Sequence, residues 1–202
     1  DDVKGLNLPA AISAEMARLV TMESEISITG SARAELIASY MKTFINILPT
    51  YVEYACSTGG ITFKPYIERA GISIDVVQAG YFYPIEFDSA NNITAVIFPE
   101  FKRVGKKLYT RLEYQCLSGN KCVIMNKAFV KTDNIINLGQ EISLEDVPEW
   151  REISPYIEFE HADRTLFSYF RIPLANNIDT ESPLGVSVYA RAVEQIKDAD
   201  EQ

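Results

Sequence analysis

The stretch ITAVIFPEFKRVGKKLYTRLEYQCLSGNKCVIMNKAFVK, residues 93–131, decides the fold class. Ile93, Ala95 and Ile97 open it at every second position, and Leu108, Leu112 and Tyr114 fall at even spacing among themselves on the return. That is the period of a strand, not of a helix. Two short polar turns, Val104-Gly105-Lys106 and Ser118-Gly119-Asn120, divide the stretch into three runs, the last from Val123 to Lys131. Tight turns of this kind join antiparallel neighbours. Toward the N-terminus the alternation persists. Ile61 and Phe63 alternate with Thr62 and Lys64, Ile72, Ile74 and Val76 alternate with Ser73 and Asp75, Gly71 marks the turn between them, and Asp88 to Asn92 makes another. The spacing predicts an antiparallel β-meander over 61–131.

Outward from the meander the period changes. Residues 1–60 read as a helical segment. Pro9 suits a first helical turn, with Ile12, Met16, Leu19 and Val20 following at helical spacing. A Ser/Thr/Gly stretch from Ser27 to Ser31 ends it, and Ser31 is placed to cap a longer helix. Ile37, Met41, Phe44, Ile45, Leu48, Val52 and Ala55 form the stripe of that helix, and Gly59-Gly60 stops it. Pro49 inside the stripe predicts a kink or two helices end to end, because its ring clashes with the carbonyl one turn back.

Residues 132–202 form the third part. The acidic stretch Thr132 to Glu152 is broken by Gly139 and Pro148, and Ser143 with Asp146 has the spacing of a capping box before Trp150. Two alternating runs follow, Tyr156 to Glu160 and Leu166 to Ile172, then a polar loop from Ala175 to Glu181. Ser182-Pro183 predicts an N-cap and first turn, with Leu184, Val188, Ala192 and Ile196 as the stripe of a final helix. That helix reaches Asp200-Glu201-Gln202 with no stop signal, so the native protein is expected to continue. The Asp1-Asp2 start without Met is expected of an artificial or processing boundary. The fold class expected is α+β, with N-terminal helices, a meander and a C-terminal helix, in one compact fragment.

Composition narrows the function. The chain has 202 residues, 47% of them hydrophobic, and a formal charge of −9. That length supports a core without disulfide or metal. No run of 18 apolar residues is present, and no basic-then-apolar leader opens the chain. The negative balance argues against a surface that grips phosphates. An acidic wall repels DNA, which is useful where DNA must slide.

Residues able to do chemistry are few. The single histidine, His161, lies in Glu158-Phe159-Glu160-His161-Ala162-Asp163. A histidine-dependent hydrolase would have to use it as base with Asp163 as orienter, yet no G-x-S-x-G motif accompanies it. Cys56, Cys116 and Cys122 lack zinc spacing. Cys116 and Cys122 flank a turn, so they are either paired across a hairpin or, as a cytosolic compartment implies, reduced. Lys102, Arg103, Lys106 and Lys107 make one basic cluster at a hairpin tip, read as a solvated turn rather than a nucleic-acid contact. Tyr81-Phe82-Tyr83 and Phe167, Tyr169 and Phe170 read as packing between sheet and helix. No catalytic, cofactor-binding or metal residue is assigned, and no cofactor is expected.

Several stretches together resemble the portal proteins of tailed phages, of the type found in long-tailed phages and prophages of Gram-positive bacteria. Leu6-Asn7-Leu8-Pro9, Glu15, Ala17-Arg18-Leu19-Val20 and Gly30-Ser31-Ala32-Arg33-Ala34 are similar to the family's N-terminal helical segment. Glu53-Tyr54-Ala55, Gly59-Gly60, Phe63-Lys64-Pro65-Tyr66, Val77-Gln78-Ala79, Phe82, Pro84, Phe87-Asp88 and Asn92-Ile93-Thr94 keep its order. Tyr109-Thr110-Arg111-Leu112-Glu113 and Asn126-Lys127-Ala128 follow in the meander. The most specific resemblance is Phe167-Ser168-Tyr169-Phe170-Arg171 with Pro173-Leu174-Ala175-Asn176-Asn177-Ile178-Asp179 and Ser182 to Ala190. The resemblance runs from about Leu6 to Asp200, with gaps in the acidic loop near 135–152.

The resemblance implies the outer, wing-like part of a portal subunit, lacking the C-terminal helices and clip. It implies no enzyme activity. The full-length protein is expected to form a dodecameric ring at one capsid vertex, whereas this fragment, lacking those parts, is expected to be monomeric and to make no DNA contact of its own. Terminase, scaffolding, major capsid and head–tail connector proteins are the implied partners. Double-stranded DNA passes through such a ring without sequence-specific binding, and no membrane is involved. The implied location is the virion, and the host cytoplasm during assembly. The alternatives are another phage head component, such as a minor capsid or neck protein, and a hydrolase using His161.

Overall fold

The computed structural model describes residues 7–68, 71–132 and 137–200. The Asp1-Asp2 start, Leu6 and the Glu201-Gln202 end lie outside them. The class is α+β as expected: helices at both ends and an antiparallel meander between them. The chain divides into two compact units, 1–79 with 167–202, and 80–166.

The first unit begins with α1 (Leu8–Met22) and α2 (Ala32–Thr58). Pro9 lies in the first turn of α1, where its missing N–H costs nothing. Ser13 and Ala17, one turn apart, are the residues α1 buries. Met16, Leu19 and Val20, read from spacing as its stripe, stay 39–53% exposed. Ser31 caps α2 as expected, its Oγ accepting from Ala34 N at 3.1 Å. Pro49 does not divide α2 into two helices; the helix continues through it. One hydrogen bond is forgone there. Burial of Val52, Ala55 and Cys56 just beyond, with Leu48 and Tyr51 against the same core, offsets the loss.

Strands β1 (Gly60–Glu68), β2 (Gly71–Gln78) and β9 (Ser168–Arg171) form a three-stranded antiparallel sheet in the order β2-β1-β9. The run expected over 61–131 as one meander therefore falls into two sheets. β1 and β2 belong with the helices, and the distant β9 pairs with β1. Phe44, Tyr51, Phe63 and Phe170 interlock between α2 and this sheet, with centroids 5.1–6.4 Å apart. The aromatics of 167–170 are packing residues, as the sequence suggested.

The last helix differs from expectation. Ser182-Pro183 does not start it. Residues 182–189 are non-helical, a 3₁₀ turn covers Ala190–Ala192, and α3 spans Val193–Asp200. The reason is competition for the end of α2. A helix leaves its last carbonyls without partners, and this strap supplies them. Val188 N donates to Cys56 O at 2.9 Å and the Tyr189 hydroxyl donates to Ser57 O at 3.0 Å. Gly59 ends α2 in the left-handed region at φ 93°, and Gly185 lies so close that a Cβ on either would strike the other's backbone.

The second unit holds a six-stranded sheet. β3 (Tyr83–Phe87), β4 (Ile93–Val104), β5 (Lys107–Ser118), β6 (Lys121–Thr132) and β7 (Gln140–Ile142) pair in order. β8 (Tyr156–Glu160) pairs with the first half of β6, and β7 with its second half. Both expected hairpin turns form. β3 and β7 were not read from the sequence. Ser143 and Asp146 make the expected capping box, which opens a 3₁₀ turn over Leu144–Asp146. Leu144, Val147 and Trp150 then fold onto Ala128 as a second core.

Candidate functional site

Cross-strand partners in an antiparallel sheet point to one face, so register sorts the six-stranded sheet into two faces. One carries Glu100, Arg111, Glu113, Gln115, Asn126 and Ala128. The other carries Ile97, Phe101, Leu112, Tyr114, Met125 and Phe129. The polar face is the better buried: Arg111 is 8%, Gln115 3% and Asn126 6% exposed, against 52% for Phe101 and 40% for Met125.

The segment 143–155 covers that polar face and is bonded to it. Arg111 Nη2 and Nε donate to Glu100 Oε2 at 2.6 and 3.0 Å, and Nη1 donates to Asn126 Oδ1 at 2.7 Å and Glu113 Oε2 at 3.1 Å. Trp150 Nε1 donates to the other Glu100 oxygen at 2.9 Å, and Asn126 Nδ2 donates to Ser154 O at 2.9 Å. The network meets the requirement that a buried charge be paired and hydrogen-bonded. Beside it lies a cavity of about 440 Å³, with Asn126, Glu141, Ser143, Arg151 and Ser154 among its lining residues. Both Asn126 amide atoms are already bonded to the protein.

His161 stands at the end of β8 in the left-handed region at φ 59°, exposed. Asp163, the carboxylate a hydrolase would need as orienter, instead accepts from Arg164 Nε at 3.0 Å. That ion pair holds the Asp163 carboxyl below its ordinary range. The base-and-orienter pair is not built here. Cys116 is partnered with Val123 and Cys122 with Leu117, so the two thiols lie on opposite faces of the sheet. All three cysteines are free. The hairpin pairing left open by the sequence is excluded by this one-residue offset. Among the described residues no three His, Cys, Asp or Glu side chains gather at metal-binding range, and no helix is long and apolar enough to cross a membrane.

The basic cluster is larger than its sequence run. β6 brings Lys131 opposite Leu108, beside Lys102, Arg103, Lys106 and Lys107 at the β4–β5 turn. Lys102 pairs with Glu149, while Lys106, Lys107 and Lys131 make no ion pair among the described residues. The opposite end of the sheet is acidic. Glu158 and Glu160 of β8 pair with Lys121 and Asp163 pairs with Arg164, while Glu86 of β3 and Asp88 of the next turn stand at the same end on the opposite edge of the sheet. Lys121 bridges Glu158 and Glu160 at 2.5 and 3.2 Å. This end was not legible in the sequence, because three stretches up to about 75 residues apart supply it and no local spacing signals their meeting.

Comparison with models of known protein families and with curated proteins finds no match to this chain.

Proposed function

We propose that this chain is a structural subunit of a tailed-phage portal, the ring through which double-stranded DNA enters and leaves the capsid. The observation that carries the reading is the ordered resemblance along the chain, most specific over Phe167–Ala190. The structural roles of those residues support it. Phe170 enters the aromatic core, and the Tyr169 hydroxyl accepts from Gly185 N at 3.1 Å. The strap to Tyr189 closes the end of α2. Of the residues that carry the resemblance, Tyr169, Phe170 and Tyr189 hold the first unit together. Its work in this reading is mechanical: a stiff annulus that presents a mostly acidic surface to passing DNA while a separate motor supplies energy. Terminase, scaffolding, capsid and connector proteins are its partners, and the portal vertex of the virion is its place.

Electron microscopy of the whole gene product that contains this chain tests the reading. Annular particles with about twelve-fold symmetry and an axial hole are expected. A lone subunit, or a tube of the kind a neck protein makes, overturns it.

A further inference from the structure

The six-stranded sheet carries opposite charge at its two ends. Arg103, Lys106, Lys107 and Lys131 gather at one end beside the Lys102–Glu149 pair, while at the other Glu86 and Asp88 stand on the β3 edge and Glu158, Glu160 and Asp163 outnumber Lys121 and Arg164 on the β8 edge. The 12 residues of β4 separate the ends, about 35 Å at the rise of an extended strand. Each end also exposes large apolar side chains, Phe101 (52%) and Val104 (54%) at the basic end, Tyr156 (52%) and Phe159 (42%) near the acidic one. All five residues of β8 are exposed.

We propose that the basic end of one copy docks against the acidic end of the next, a head-to-tail contact between identical chains. The inference rests on the ring-subunit reading and names the surface by which neighbours meet. Two different patches on one chain make a heterologous interface, which closes into a ring when the rotation per subunit allows it and otherwise runs on as an open chain. Like ends repel, so the arrangement disfavours a two-fold dimer through either patch. At physiological salt the screening length is about 8 Å. The two ends are therefore felt separately, and the overall charge of −9 does not cancel attraction at the contact. Charge sets orientation and register there, and the exposed apolar residues supply the surface to be buried. A nucleic acid also suits the basic end, but it would leave the acidic, apolar end without a partner.

Sedimentation velocity on the 202-residue chain, over a wide concentration range at low and high salt, reads the contact directly. Association that weakens as salt rises is expected. Lys106→Glu with Lys107→Glu, and separately Glu86→Lys with Glu160→Lys, should each raise the dissociation constant about ten-fold or more. Mixing the two reversed proteins should restore association, because each end then meets an end of opposite sign. Lys131→Glu gives an independent third variant, and melting curves confirm that all are folded. Association indifferent to both reversals overturns the contact while leaving the ring reading in place. Charge-dependent open chains that never close uphold the contact and count against the ring. No association under any condition, or no rescue on mixing, also overturns it. So does oligonucleotide binding lost with Lys106→Glu and Lys107→Glu where self-association is absent.

Discussion

Replacing Gly185 by Ala should unfasten the strap from the end of α2. A Cβ at this position would meet the Gly59 carbonyl, a backbone atom unable to swing aside, and would lie 2.8 Å from Arg171 Cγ. Relief requires the strap to retreat, and three hydrogen bonds go with it: Gly185 N to the Tyr169 hydroxyl, Val188 N to Cys56 O, and the Tyr189 hydroxyl to Ser57 O. At about 1 kcal/mol net each they account for about 3 kcal/mol. Overpacking adds about 1 kcal/mol or more. The total of about 4 kcal/mol is a large part of the roughly 5–15 kcal/mol that holds a domain folded. Urea unfolding followed by the far-UV helix signal is the assay, because α1 and α2 belong to the same unit as the strap. With a slope of about 2 kcal/mol per M, the midpoint should fall by about 2 M. A shift under about 0.5 M at unchanged slope refutes the reasoning, since it would mean that the strap accommodates a methyl group or contributes nothing to the end of α2.

Arg111→Ala removes the guanidinium from Glu100, Glu113 and Asn126 and should destabilise the second unit by about 3 kcal/mol, read as an earlier transition in Trp150 fluorescence; an unchanged midpoint contradicts the network. Trp150→Phe keeps an aromatic ring, though a smaller one, and loses the bond to Glu100, so a milder loss of about 1–2 kcal/mol is expected by circular dichroism. The Asp88 carboxylate is held below its ordinary range, first by the Asn92 side chain and then by backbone N–H groups of the 88–92 turn. Its stabilising effect is therefore present above the ordinary aspartate value and fades as pH falls through the lowered one; carboxyl NMR titration should place Asp88 below a free aspartate, and a value at or above it contradicts the turn geometry. Mild oxidation should yield no Cys116–Cys122 cross-linked peptide by mass spectrometry under non-reducing conditions, and recovery of that peptide contradicts the β5–β6 register.

Local signals carried much of the fold. The Ser31 cap, the Gly59-Gly60 stop, the two hairpin turns and the Ser143–Asp146 box each need only neighbours within a few residues, and each lies where it was read. Competition across distance was not legible. Ser182-Pro183 is a good helix opening by itself, yet the carbonyls at the end of α2 recruit the following residues into a strap. β3 is short and its pairing with β4 slips between Pro84 and Glu86, so it carries no regular alternation; proline is tolerated at such an irregular edge. Alternation along β5 located the strand but left its polar face unexplained. Arg111 is buried in the network that Trp150 joins and Gln115 is buried beside Glu113, while Leu112 and Tyr114 are only half-buried. That outcome requires Glu100, Glu113, Asn126 and Trp150 to be brought together, and no spacing announces it. The basic turn was visible as a run, whereas Lys131 and the acidic end opposite became apparent through strand pairing.

Labelling intact phage particles with gold-tagged antibody raised against this chain tests the central claim most directly. A subunit of the DNA conduit should place label at a single vertex of each head, where the tail joins. Label spread over every vertex, confined to the tail, or absent from particles altogether contradicts the account.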